Sequence, residues 1–315
     1  MQIKRFMMGT AAALVLAACG DTESANPMAS AEGGQGKGPA LATAPVGARW
    51  SLYDGQTPSE TLDATPGWEV GTRLTTNKRG KVIGFRFYRA SGETGTNTAR
   101  LWTNSGQQLA SASFSAGGTG WQTVYLPANS AVSLTVNTTY RVSVNTNTAQ
   151  VKTGGGYAYN GNLSSGPLFS DGGYYGQPTG SMPTSSSASY FFVDVIFEEY
   201  VPLPNLYVGG IYLGGTDYWG NEIATLRVCN NGDGAAGAST TRMKYFWANS
   251  GPWQFQWDRT YATAAIAAGS CTDLQVPSNS ASGSNLYEVF ADTYDVLYES
   301  NEGDNFSNAG WNRWP

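Results

Sequence analysis

Histidine is absent from all 315 residues. With it go Ser–His and Cys–His nucleophile pairs, HExxH zinc sites and imidazole acid–base chemistry. Charge is scarce as well, with Asp, Glu, Lys and Arg making up 13% of the chain. No basic stripe is present to displace counterions from phosphates, so no nucleic acid is expected as a partner. The extended apolar stretch from Phe6 to Leu16 is shorter than the roughly 20 residues a membrane-spanning helix needs. Cysteine is limited to Cys19, Cys229 and Cys271.

What that short stretch does have is the cationic start (Lys4, Arg5) and length of a secretory h-region. It ends in Leu16-Ala17-Ala18-Cys19, and small residues before a cysteine resemble the lipobox of bacterial lipoproteins. The resemblance implies a signal peptide at 1–18 and lipid attachment at Cys19. The chain is then exported and held by that lipid to the cell envelope, at the outer membrane or cell surface. Gly20 after the cysteine, in place of Asp, resembles outer-membrane sorting. Removing Lys4 and Arg5 leaves 16 basic residues (18 − 2) against 23 acidic, about −7. Residues 19–48 read as the lipidated cysteine and a flexible tether, because Gly, Ala, Ser and Pro from Gly20 to about Val46 offer no apolar period to bury. Such a tether reaches on the order of 30 Å. Cys229 and Cys271 remain as a disulfide pair in an oxidising compartment.

The 40 glycines, with abundant Ser, Thr, Asn and Tyr, belong to turn-rich all-β proteins. Two consecutive β-sandwich domains are expected, a jelly-roll-like or related one at 49–200 and a second at 203–311. Pro202-Leu203-Pro204 marks the boundary, since proline stops strand ladders. In the first domain Ile83, Phe85 and Phe87 alternate with Gly84, Arg86 and Tyr88, predicting a core-facing set, and Trp102 and Trp121 are expected in the core. Gly84-Phe85-Arg86-Phe87-Tyr88, Leu101-Trp102, Leu109 to Phe114, Gly120 to Val124, Thr138-Thr139-Tyr140 and Val193-Asp194-Val195 together resemble the bacterial domain-of-unknown-function family 4082. That resemblance implies a β-sandwich module of large exported proteins. Members often carry histidine where this chain has Asn97 and Asn145.

The segment from Gly154 to Ser189 carries Tyr157, Tyr159, Phe169, Tyr174 and Tyr175 amid Gly, Ser and Asn, and reads as a long loop. Two readings are open. The tyrosines form a sugar-binding surface, with Asn160, Asn162, Asp171 and Gln177 bonding hydroxyls, or they fold back over one end of the sandwich.

In the second domain Ile223 to Cys229 runs into the turn Asn230-Asn231-Gly232-Asp233-Gly234. That strand and turn, Met243-Lys244-Tyr245-Phe246, and the ending Asp295-Val296-Leu297-Tyr298-Glu299-Ser300-Asn301-Glu302-Gly303-Asp304-Asn305 resemble the bacterial cell-adhesion-related domain CARDB. An extracellular immunoglobulin-like adhesion or spacer module is implied. Asn205 stands where that family's first strand usually opens with Pro-Asp. If Leu226, Val228, Leu274 and Val276 face the core, Cys229 and Cys271 point outward and clip neighbouring strands of one sheet. Asp292, Asp295, Glu299 and Glu302 either gather calcium or accept backbone N–H groups in turns. Trp253, Phe255 and Trp257 alternate with polar residues and read as a core stripe. Tyr261 to Gly269 is alanine-rich, and its state stays open.

The expected function is non-catalytic binding or adhesion at the cell surface, directed at a glycan or an envelope protein. A structural spacer of the envelope is the alternative. A two-carboxylate glycosidase is the remote one, since nothing pairs two carboxyls across a cleft.

Overall fold

The computed structural model describes residues 42–153, 163–220, 222–278 and 282–313, and within them the period-two segments are strands joined by turns and irregular connections. Among the described residues the only helical element is a 3₁₀ turn at Ala128–Ser130, and no helix is long and apolar enough to cross a membrane.

The first set of strands is β1 (Arg49–Trp50), β2 (Glu60–Asp63), β3 (Trp68–Thr76), β4 (Gly80–Arg89), β5 (Thr98–Thr103), β6 (Gln108–Ser113), β7 (Gly120–Tyr125), β8 (Val132–Leu134), β9 (Tyr140–Thr146), β10 (Ala149–Lys152), β11 (Leu163–Ser165), β12 (Leu168–Ser170), β13 (Gly173–Gly176), β14 (Ser185–Ser187) and β15 (Val193–Glu199). A sheet ordered β1-β15-β4-β7, with β8 also on β4, faces a larger one ordered β11-β12-β3-β9-β5-β6, to which β13 and β14 are joined through β3. Between them lie Phe85, Phe87, Val193, Val195 and Phe197 from the first and Val70, Leu74, Leu101, Val142 and Val144 from the second. Each such side chain contributes about 1.5–3 kcal/mol by leaving water.

Two core expectations need correction here. A register shift between β4 and β15 makes Val82 oppose Phe197 and Gly84 oppose Ile196. One extra residue reverses the phase of alternation, so Val82 is buried in the core and Ile83 is not. Trp102 is buried but lies outside the apolar core, on the far face of the larger sheet, where its Nε1–H donates to Ser143 Oγ at 2.8 Å.

The second set is β16 (Leu206–Thr216), β17 (Glu222–Asn230), β18 (Ser239–Ala248), β19 (Gln254–Thr263), β20 (Ser270–Pro277), β21 (Gly283–Phe290) and β22 (Phe306–Arg313). Three strands, β16-β17-β20, face four, β19-β18-β21-β22, in the split of an immunoglobulin-like sandwich. Ala224, Leu226, Met243, Tyr245, Val276, Tyr287 and Val289 fill the space between. The alanine-rich stretch is extended, with β19 running to Thr263 and a bridge from Ile266 to Ala236. The aromatic stripe on β19 departs from expectation. A shift between Tyr245 and Phe246 puts Trp257 opposite Tyr245 and Phe255 opposite Phe246, so Trp257 packs on the core while Phe255 stays 57% exposed.

Cys229 and Cys271 stand directly opposite each other on β17 and β20 and form a disulfide, with Cα atoms 3.9 Å apart. The clip joins neighbouring strands of one sheet, as alternation implies. Only Cys271 is exposed, however, because the Cys229 sulfur lies against Gly209, where an added Cβ would approach it to 2.7 Å. With a sequence separation of 42, loop closure assigns the bond about 4 kcal/mol. The Cys229→Ala, Cys271→Ala double variant is therefore expected to lower the unfolding temperature of this sandwich by roughly 15 °C in calorimetry. A shift within about 2 °C would contradict this.

Candidate functional site

From Leu163 onward the tyrosine segment is not an open loop. Leu163 and Leu168 anchor it in the core, and β13 pairs with β3, Tyr174 opposite Gly71 and Tyr175 opposite Val70. Because adjacent strand residues face opposite ways, Tyr174 and Tyr175 do not form one platform. Tyr174 turns to the outer face, where the Arg141 guanidinium lies 4.2 Å above its ring. Tyr175 turns the other way, its ring 5.9 Å from Trp68 and 6.3 Å from Phe191, and remains 37% exposed. Asp171 accepts from Arg73 Nε at 2.6 Å, and Arg73 stands opposite Arg141 on the neighbouring strand. Beside this pair lies a cavity of about 200 Å³ lined by Arg73, Leu74, Thr75, Phe169, Ser170 and Asp171. Tyr174, Arg141, Arg73 and Asp171 thus share one patch. Gln177 is spent on the Gly67 carbonyl at 2.7 Å. Tyr157, Tyr159, Asn160 and Asn162 lie outside the described residues, as do residues 1–18 and Cys19, where a signal peptide and lipid attachment are expected.

A second polar assembly covers the same face. Glu69 is fully buried there, bonded to Ser143 Oγ at 2.6 Å, the Gly180 N–H at 2.8 Å and Arg100 at 3.1 Å. Burial pushes its carboxyl up, against the pull of these donors. The assembly pins the 177–184 connection over the sheet. Asn97 and Asn145, singled out by the family resemblance, also come together: Asn97 Nδ2 donates to the Asn145 carbonyl at 2.9 Å and to Glu93 Oε1 at 2.6 Å. Glu93 further accepts the N–H groups of Asn147, Thr148 and Ala149. In this chain the pair fastens the turn after β9.

The acidic ending resolves toward its second reading. Among the described residues no group of three or more His, Cys, Asp or Glu side chains is placed to hold a metal ion, and the hydrogen bonds of Asp292, Glu299 and Glu302 are those of the turn reading. Asp292 accepts the Leu297 N–H at 2.8 Å, Glu302 accepts the Glu299 N–H at 3.0 Å, and Glu299 accepts the Leu206 N–H. Asp295 is exposed in the turn, and its carbonyl receives the Ala42 N–H at 2.9 Å. Short loops rich in Asp and Asn satisfy their own backbone in this way. Burial, aided by the charges of Glu302 and Asp292, raises the Glu299 carboxyl to about 7.

Ala40–Pro315 form one compact unit, and where its two sandwiches meet lies a cleft of about 410 Å³ bordered by Arg79, Lys81, Glu198, Glu199, Tyr200 and Tyr298. Its carboxylates are already committed, Glu198 to Arg49 and Lys81 and Glu199 to Lys78. Arg79 and Tyr200 both bond Asp233 of the second sandwich, at 3.1 and 2.8 Å.

The most exposed aromatics are ones that core-stripe reasoning passes over. Tyr218 and Trp219, 94% and 81% exposed, occupy the tip between β16 and β17. A turn signal was present in Gly214-Gly215 before them and Gly220 after. Aromatics inside a turn have no sheet face to bury against.

Residues 55–193 match the family described as domain of unknown function DUF4082. No curated protein matches the chain. Among solved structures, the CARDB domain of a Pyrococcus furiosus protein, in complex with di-metal ions, is 14% identical, with 36% of this chain and 97% of that one covered and a TM-score of 0.27. A Bacteroides uniformis β-glucuronidase is 12% identical over 84% of this chain and 28% of its own, with a TM-score of 0.23. A Streptomyces venezuelae β-glucosidase in complex with D-glucose is 9% identical over 82% of this chain and 50% of its own, with a TM-score of 0.23. The chain thus spans half or less of these glycosidase chains.

Proposed function

We propose that this protein is a non-catalytic, lipid-anchored surface protein that binds a glycan through the outer face of its first sandwich. One observation carries the proposal: Tyr174 under Arg141, with the Arg73–Asp171 pair bordering a cavity of about 200 Å³. Arg141 covers one face of the Tyr174 ring, so a sugar would pack on the ring's other face or its edge, while guanidinium and carboxylate groups bond its hydroxyls. The lipobox-like start and the tether-like composition of residues 20–46 support the reading of such a face outside the membrane. The absence of histidine and the ion-paired state of Glu198 and Glu199 in the cleft support a role without catalysis. An envelope spacer is the second proposal, favoured by the Arg79–Asp233 and Tyr200–Asp233 bonds that tie the sandwiches together.

Glycan-array and insoluble-polysaccharide binding by the lipid-free chain from Thr43, with and without calcium, tests this. Saturable binding, weakened at least about tenfold by Tyr174→Ala or Asp171→Ala, is expected. It should not depend on calcium. Absence of binding to every glycan would leave the spacer role.

A further inference from the structure

The far end of the second sandwich presents a surface that the first-sandwich patch does not use. The β16–β17 tip (217–220), the β18–β19 tip (249–253) and the end of β20 all lie at the end away from Asn205 and Asn230. The Ser278 N–H donates to the Glu222 carbonyl at 3.1 Å, which sets the end of β20 beside the first tip. Tyr218 and Trp219 project from the first tip and Trp253, 36% exposed, from the second. Their positions are built, not slack: Asp217 Oδ1 accepts the Trp219 N–H at 2.9 Å and its carbonyl accepts the Gly220 N–H at 3.0 Å. Trp and Tyr among Gly, Ser and Asn on adjacent loops give rigid contact area beside adaptable hydrogen bonding, the chemistry of recognition loops.

We infer that this end is a second glycan-contact surface, which takes a single neutral sugar chain or chain end and not a crystalline polysaccharide. Ring geometry selects the form of the ligand. The Tyr218 and Trp219 rings stand at 90° with centroids 5.8 Å apart. A flat crystalline face needs coplanar rings; a perpendicular pair makes a corner that holds one sugar by a face and an edge. Charge selects the class. Neither tip contains Lys or Arg, Asp217 and Glu222 flank the first, and Arg313 stands opposite Gly283 on β22, so the charges of the first tip itself disfavour anionic sugars and anionic lipid headgroups. The inference extends the glycan function proposed above to a separate site.

The test compares the purified full chain with Trp219→Ala, Tyr218→Ala and Tyr174→Ala. Its probes are soluble neutral oligosaccharides (cello-, xylo- and manno-series), microcrystalline cellulose and phosphatidylglycerol-containing vesicles, read by calorimetric titration and co-sedimentation. Trp219 is exposed, so its variant is expected to keep the wild-type unfolding temperature. The expected result is a soluble oligosaccharide bound at two sites per chain, one lost in Trp219→Ala and the other in Tyr174→Ala, with affinity at the tip falling at least about tenfold in Tyr218→Ala. Sugar binding abolished by Tyr174→Ala and unchanged in Trp219→Ala would overturn this inference and leave the first site standing. Trp219-dependent binding to cellulose crystals or vesicles alone would also overturn it. No sugar bound by any form would overturn both.

Discussion

Asp194→Ala is expected to lower the unfolding temperature of the first sandwich by roughly 10 °C or more. Asp194 lies between Val193 and Val195 on β15 and is fully buried. Its oxygens accept the Leu52 and Tyr53 N–H groups at 3.0 Å each and its own neighbour Val195 N–H at 2.8 Å. Removing the carboxylate leaves three buried donors without an acceptor, at about 1–3 kcal/mol each. For a sandwich of this size each kcal/mol moves the transition by about 2–4 °C. The same residue sets a pH dependence. Burial outweighs the three donors and pushes its carboxyl up from 3.8 to about 6. Between those values the folded state binds more protons than the unfolded one, so stability falls as pH rises through the window. The total is about 3 kcal/mol at 1.36 kcal/mol per pH unit. Asp194→Asn retains one acceptor oxygen and cannot ionise, so its unfolding temperature is expected to be flat from pH 4 to 6.5 where the wild type declines. Parallel profiles would show that the carboxylate is ionised throughout.

The second sandwich carries the analogous device at Glu299, whose carboxyl rises from 4.5 to about 7. By the same sign, its stability is fullest below 4.5 and declines until about 7, by roughly 3 kcal/mol. Glu299→Gln keeps an acceptor for the Leu206 N–H and for Asn305 while removing the charge that Glu302 and Asp292 oppose. The variant is expected to match the wild type near pH 4.5 and to unfold roughly 5–10 °C higher at pH 8. Calorimetry at the two pH values decides it. A lower unfolding temperature for the variant at pH 8 would mean that the carboxylate's hydrogen bonds outweigh its burial and the charge repulsion.

Local chemistry explains which parts of this architecture the sequence reveals. Period-two alternation and turn clusters mark the strands of both sandwiches, and Cys229 and Cys271 are legible as a pair because alternation around Leu226 and Leu274 sets their face. Register is the non-local part. The shifts at Val82 and at Tyr245/Phe246 reverse which of Ile83 and Phe255 faces inward, and no residue type there announces them. Strands β11 to β14 contain at most two apolar residues each, and β14 none, too few for a period, and they exist because β3 offers β12 and β13 an open edge. The proximity of Asn97 to Asn145, like that of Arg73 to Asp171, follows only once β3, β5 and β9 are aligned. Tyr218 and Trp219 were legible through their turn residues, had exposure been weighed against the usual burial of aromatics.

The most direct measurement is titration of the lipid-free chain with soluble neutral oligosaccharides while following intrinsic tryptophan fluorescence. A saturable change, reduced in Trp219→Ala and accompanied by heat release that Tyr174→Ala diminishes, is expected of an anchored glycan-binding protein. No change with any sugar, alongside saturable capture of a purified envelope protein that survives both substitutions, would contradict it.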